Sequence, residues 1–69
     1  MKEMQWRSPL NSSAKTLHLR TAPHEQWRPY TQFPQYAVPD YPMPGGSKGW
    51  ATYQKLRQAG WILVNSEGV

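Results

Sequence analysis

Two short stretches near the start of the chain alternate apolar and polar residues. They are residues 4–7 and residues 15–20, and the second places Leu17 and Leu19 on one side with His18 on the other. Because successive side chains of a strand point to opposite faces, this period predicts two half-buried strands. The residues between them are typical of a loop, and a connection of seven residues allows the strands to pair as a hairpin without requiring it.

The second half of the chain contains a stretch with the period of a helix. Ser47 is the predicted N-cap, and the helix is predicted over residues 48–59. Its apolar face comprises Trp50, Tyr53, Leu56 and Ala59, together with Thr52. Gly60 follows where a left-handed residue ends many helices, so we expect a Schellman motif in which Leu56 contacts Trp61.

A continuous apolar run at residues 61–64 follows the helix and predicts a strand that is covered on both faces. One helix can cover only one face, so we expect a proline-rich arm across the other face or around an edge. The resulting fold class is α+β: an antiparallel sheet of about three strands, at 4–7, 15–20 and 61–64, with one helix. All 69 residues are expected to form one domain, with a helix–strand unit at 47–65.

The arm, residues 22–46, is rich in proline and aromatic residues. Its prolines fix their own φ and push the preceding residue toward extended conformations, which excludes a continuous helix. Four of its rings lie three residues apart, namely Trp27, Tyr30, Phe33 and Tyr36. Three residues make one turn of a polyproline II helix, so a chain in that conformation would line these rings along one edge. We expect an extended arm.

The rings of the arm allow three interpretations. They can be core, packed on the sheet and helix, because large exposed apolar patches are uncommon in monomers. They can be a docking face for a partner protein, with candidate residues Trp27, Arg28, Tyr30, Phe33, Tyr36 and Tyr41. They can stack on nucleic-acid bases, while Arg20, Arg28, Lys48 and Lys55 contact phosphates. We expect Trp27 to be buried, and Tyr36 and Tyr41 to face outward.

Composition narrows the class of protein. Hydrophobic residues make up 38% and charged residues 17%, there is no cysteine, and the formal net charge is +4. Disulfides are therefore excluded, and two histidines do not complete a zinc site. The charge favours an acidic or mixed protein surface, or a nucleic acid, as partner. We expect no membrane span, because a span needs about 18 consecutive apolar residues, and we expect a soluble, cytoplasmic protein.

The sequence contains no complete catalytic or cofactor motif. His24-Glu25 begins a zinc-protease pattern, but Arg28 stands where the second histidine is needed and Pro29 prevents a helix. The stretch 45–48, Gly-Gly-Ser-Lys, lacks the order of a phosphate-binding loop. The four carboxylates are scattered, and the serines lie in loops, caps or the tail. We therefore expect neither enzymatic activity nor a cofactor.

The sequence favours a small non-catalytic binding module that occupies a surface of a larger protein, as an adaptor, inhibitor or assembly subunit. The lack of a complete catalytic or cofactor motif supports this hypothesis. The extended aromatic arm also supports it, because such segments suit surface recognition. The alternative hypothesis is a basic nucleic-acid-binding protein that uses dispersed Lys and Arg residues with exposed rings. Against the alternative, the predicted helix has no Arg- or Asn-rich face for reading bases.

Overall fold

The computed structural model describes residues 2–8, 14–41 and 47–64. In chain order the elements are β1 (Glu3–Arg7), β2 (Thr16–Arg20), β3 (Arg28–Pro29), a 3₁₀ turn (Tyr30–Gln32), α1 (Trp50–Gln58) and β4 (Ile62–Leu63). One helix and one small sheet confirm the α+β class.

The sheet is mixed and has four strands, in the order β3-β2-β1-β4. β1 pairs antiparallel with β2, so that Met4 lies opposite Leu19, and parallel with β4, so that Glu3 lies opposite Ile62. The expected three-stranded antiparallel sheet is therefore wrong in two respects. α1 returns the chain to the end of the sheet where β1 begins. β4 therefore starts beside the start of β1 and runs parallel to it. The additional strand, β3, ends in Pro29, and an edge strand tolerates the missing N–H of proline.

The core lies on one face of the sheet. Met4, Leu17 and Leu19 are fully buried, and the register of β1 and β2 places all three on the same side. They pack in one cluster with Leu56 of α1, Trp61 and Phe33 of the arm. The arm is thus a second cover, but it shares this face with the helix instead of covering the opposite one. β1 and β2 each have only one apolar face, so only that face needs covering.

The strand at the end of the helix is shorter and more exposed than its sequence indicates. Ile62 is 50% and Leu63 is 37% exposed, whereas Trp61 is buried. The prediction of a strand covered on both faces was wrong, because β4 lies at an edge of the sheet. The apolar run at 61–64 instead combines two roles: Trp61 closes the core at the end of the helix, and the next residues pair with β1.

The predicted end of the helix is confirmed. Gly60 has a φ of +100°, its N–H donates to the carbonyl of Arg57, and the N–H of Trp61 donates to the carbonyl of Leu56. These two bonds define a Schellman motif. The motif turns the chain so that Trp61 joins Leu56 in the buried cluster.

The start of the helix differs from the prediction. Ser47 is not the N-cap, because Lys48 continues the sheet: its N–H donates to the carbonyl of Lys15, and its carbonyl accepts the N–H of Leu17. Extended backbone at residue 48 is incompatible with a helical turn. Gly49, at a φ of +95°, is the cap residue, and α1 begins at Trp50.

Asp40 of the arm satisfies the first N–H groups of α1. Its Oδ2 accepts the N–H of Gly49 at 2.6 Å, and its Oδ1 accepts the N–H of Ala51 at 3.0 Å. Desolvation raises the pKa of this carboxyl, but hydrogen bonds from backbone N–H groups lower the pKa by more, so it lies below its ordinary value. The ionised carboxylate therefore joins the arm to the helix.

Asp40→Ala is expected to lower the free energy of unfolding by about 1 kcal/mol, the usual cost of losing an N-cap acceptor. Asp40→Asn keeps a side-chain oxygen but removes the charge. Because the folded pKa is lowered, the carboxylate stabilises the fold above its unfolded pKa, and this contribution disappears as pH falls through the folded pKa. Urea unfolding between about pH 7 and pH 2 should therefore show a smaller loss of unfolding free energy in the Asn variant than in the parent. Equal pH dependence of the two proteins would contradict the assignment of Asp40.

Candidate binding surface

The second face of the sheet carries polar and charged side chains. These side chains belong to the strand positions that alternate with the core residues. We call this surface the polar face. It comprises Glu3, Gln5, Arg7, Thr16, His18, Arg20, Trp27 and Ile62. Lys48 extends it, since Lys48 forms a parallel bridge with Thr16. Most of these side chains are half-buried, as expected for a sheet face whose neighbouring residues shield one another.

One end of the polar face is a row formed by Trp27, Arg20 and Glu3. The Nε of Arg20 donates to Oε1 of Glu3 at 2.7 Å, and the guanidinium carbon lies 4.2 Å from the centre of the Trp27 ring. The ion pair and the indole together hold the guanidinium in one orientation. A fixed, planar guanidinium is well suited to carboxylate or phosphate oxygens.

The middle of the polar face is ordered by two further hydrogen bonds. The guanidinium of Arg7 donates to Oε1 of Gln5 at 2.8 Å. The Nδ1 of His18 lies 2.8 Å from the carbonyl oxygen of Thr16, and because a carbonyl only accepts, Nδ1 carries the hydrogen. The ring of His18 is therefore held along its own strand, as expected for a histidine on the polar side of β2.

The far end of the polar face brings Arg7 and Lys48 to either side of Thr16. With Arg20, these residues supply three cationic side chains, and Glu3 is the one carboxylate among the described residues of the polar face, so those residues carry a surplus of positive charge. Arg7 was not among the candidate residues taken from the sequence. The sequence nevertheless contained this information, because the alternation of β1 places Arg7 on the side of the sheet opposite Met4.

The rings of the arm do not line one edge. The segment forms β3, then the 3₁₀ turn, then a further turn at 34–36, so it lacks the uniform polyproline II conformation that would line the rings along one edge. Phe33 is only 6% exposed, and Tyr30 and Tyr36 pack against the core. Burial raises the pKa of the Tyr30 hydroxyl, with a smaller effect from the charge of Asp40. Phe33 is therefore a core residue.

Two rings, both half-buried, lie elsewhere than expected. Tyr36 was expected to face outward, but it lies edge-on to Trp61 with ring centres 5.2 Å apart. Trp27 was expected in the core, but it lies half-buried under Arg20 on the polar face. Tyr41 is 45% exposed, as expected, and its hydroxyl donates to Gln54 at 3.3 Å. The structure thus divides the candidate partner-binding residues between the core and the surface.

The four candidate phosphate contacts also separate. Arg20 and Lys48 lie on the polar face. Arg28 is exposed, but its guanidinium carbon lies 4.7 Å from the centre of the Phe33 ring, on the side of the core. Lys55 is exposed on α1. Only two of the four therefore belong to the surface that has the surplus of positive charge.

His24 and Glu25, which begin the zinc-protease pattern, lie in the loop between β2 and β3. Glu25 accepts the N–H and the hydroxyl of Thr21, and these bonds lower the pKa of its carboxyl. His24 is exposed next to it. Among the residues with described structure, no three or more acidic, histidine or cysteine side chains come together to hold a metal ion. Ser47 and Lys48 belong to an extended segment, and Gly45 and Gly46 lie outside the described residues.

Within residues 2–8, 14–41 and 47–64, no helix is long and apolar enough to cross a membrane. The chain matches no protein-family model, and neither the comparison with curated proteins nor the comparison with solved structures found a match.

Proposed function

We propose that this protein is a small non-catalytic binding module whose polar face binds an acidic segment of a larger protein. The observation that carries the proposal is the gathering of Arg7, Arg20 and Lys48 on one face of the sheet. Such a patch attracts carboxylates by charge and suits a role as adaptor, inhibitor or assembly subunit. Trp27 adds a partly exposed ring at the end of the same face, and Trp is frequent among residues that dominate interface energies.

The spacing of the cations supports an extended acidic segment. Strands lie about 4.8 Å apart, so Lys48 and Arg7 are separated by about 10 Å across the sheet. Arg20 and Arg7 are separated along the strands by four residue positions, which is about 13 Å. An extended peptide advances about 3.3 Å per residue. Acidic side chains three or four residues apart would therefore reach two of these cations together.

A nucleic acid is the second candidate partner, favoured by the combination of Trp27 with Arg20. Bases stack on exposed indoles, and a guanidinium beside the ring can contact a phosphate. Glu3 does not discriminate between the two partners, because its carboxylate, 2.7 Å from the Nε of Arg20, would repel a phosphate and a peptide carboxylate alike. The separation of Arg28 and Lys55 from this face counts against a nucleic acid, because it reduces the number of phosphates that one strand could contact.

The test compares a fluorescently labelled decaglutamate peptide with a labelled single-stranded oligothymidine by fluorescence anisotropy. In the protein with Arg7→Gln and Lys48→Gln, binding of the peptide should weaken about fivefold, because each exposed ion pair contributes about 0.2–1 kcal/mol. Lys55→Gln with Arg57→Gln is the matched control, since it removes the same charge from the helix. That control should change the affinity less than twofold.

Equal weakening in both double variants would mean that net charge, and not the polar face, binds the peptide, and the proposal would fail. If the oligothymidine binds more tightly than the peptide, salt dependence identifies the second candidate. Three phosphate contacts predict a slope of about −2 for log affinity against log salt.

A further inference from the structure

A small cavity lies on the core side of the sheet, where the start of α1 meets β1. Its volume is about 210 Å³, and its described lining residues are Trp6, Trp50, Lys15 and Ser47. Pockets for drug-sized ligands begin at about 300 Å³. This cavity therefore has room for a single ring system, with the remainder of any ligand in solvent.

The wall of the cavity is aromatic. The rings of Trp6 and Trp50 are stacked, with centres 5.6 Å apart and an angle of 26° between their planes. Tyr53 supports both, at 5.5 Å from Trp6 and 5.2 Å from Trp50. All three side chains are half-buried. Each indole therefore contacts two other rings and still retains partial access to solvent at the cavity.

The cavity is held in shape by the backbone. Trp6 belongs to the β1–β2 ladder, where it lies opposite Leu17. Lys15 and Ser47 are brought together because the N–H of Lys48 donates to the carbonyl of Lys15 at 2.9 Å. Trp50 is the first residue of α1, whose start is held by Asp40. Because the backbone of these residues is fixed before a ligand arrives, binding costs little conformational entropy of the backbone.

The polar residues of the cavity indicate the chemistry of its ligand. Lys15 is exposed and supplies an ammonium group at the rim, and Ser47 supplies a hydroxyl. An ammonium favours an anion, a hydroxyl can donate to the same group, and an indole face favours a planar ring. These preferences occur together in one class of small molecule, a flat ring that carries a carboxylate or a phosphate.

We propose that the Trp6–Trp50 cavity binds a planar aromatic or heteroaromatic ring that carries an anionic group. The ring stacks on the indoles, and the anion lies between Lys15 and the hydroxyl of Ser47. This site does not depend on the proposed function, because Trp6 and Arg7 are consecutive residues of β1 and point to opposite faces of the sheet. Ligands of this class include aromatic acids and nucleotides, which share the ring and the anion.

The test is NMR titration of the full chain with four probes: indole-3-acetate, adenosine monophosphate, adenosine and inorganic phosphate. The protein has four tryptophans, so four indole N–H signals report on separate places. Signals of Trp6 and Trp50 should shift with either ring anion, whereas those of Trp27 and Trp61 should not. A preference for indole-3-acetate identifies an aromatic acid, and a preference for adenosine monophosphate identifies a nucleotide. Adenosine should bind about tenfold more weakly than its monophosphate.

Lys15→Gln tests the anion contact with little risk to the fold, because Lys15 is exposed. It should weaken binding of the ring anion about tenfold and leave the affinity for adenosine unchanged. Lys55→Gln is the control with the same change of charge and should have no effect. The proposal is overturned if neither ring anion shifts the Trp6 and Trp50 signals at millimolar concentration, if phosphate alone produces the same shifts, or if the two lysine variants behave alike.

Discussion

Gly49→Ala is expected to lower the free energy of unfolding by about 2–4 kcal/mol, the sum of backbone strain and overpacking. Gly49 is buried at a φ of +95°, a conformation that side chains rarely adopt. A Cβ at this position would lie 2.8 Å from Cβ of Leu17 and 3.0 Å from the Tyr30 ring. Leu17 belongs to the paired strand β2, so it cannot move aside without disturbing the sheet.

Gly60→Ala is the matched control for this substitution. Gly60 has a similar φ of +100°, but a Cβ built there meets nothing within 4 Å. Only the cost of a positive φ remains, so the free energy of unfolding is expected to fall by about 1 kcal/mol. Urea denaturation of the two variants separates strain from crowding. Equal losses in the two variants would show that the close approach of Gly49 to Leu17 is not tight, and an unchanged midpoint for Gly60→Ala would contradict the Schellman motif.

Phe33→Ala is expected to lower the free energy of unfolding by about 3–5 kcal/mol, because the ring is almost fully buried in the core cluster. Trp27→Ala should cost only about 1 kcal/mol, although it removes a larger ring. Its contact with Arg20 is a cation–π interaction at the surface of the sheet.

Thermal unfolding followed by circular dichroism distinguishes the two arm variants. For a domain of this size, about 1 kcal/mol shifts the Tm by about 4–8 °C. The Tm of Phe33→Ala should therefore fall by about 12 °C or more, whereas Trp27→Ala should lower it by a few degrees. If the two falls were equal, or if Trp27→Ala were the more damaging, the arm would not be anchored in the core through Phe33.

Features that depend on neighbouring residues could be predicted from the sequence. The alternation around Leu17 and Leu19 sets one buried face for β2, and Gly60 marks the end of the helix. Both follow from local backbone geometry. The helix cap did not follow, because the acceptor is Asp40, nine residues before Gly49, and no local pattern joins them. Ser47 met the local rule for a cap, but its neighbour Lys48 pairs with β2 instead.

The roles of the arm's rings could not be predicted for a different reason. A spacing of three residues places rings along one edge only if every residue between them has the same conformation. The chain changes from strand to 3₁₀ turn at Tyr30, so Trp27 and Phe33 lie on opposite sides of the sheet. The candidate surface was only partly predictable for a similar reason: Lys48 joins Arg7 and Arg20 through pairing between distant segments.

The parallel pairing of β1 with β4 has a consequence for how the protein folds. Glu3 and Ile62 are neighbours in the sheet but lie near opposite ends of the described chain. Contacts between such distant residues are slow to form, because a long loop must close first. During synthesis β1 leaves the ribosome before β4, so the edge of β1 that pairs with β4 stays open until residues 62–63 have emerged. A partly synthesised chain therefore presents an open strand edge, the kind of edge that other chains can join during aggregation.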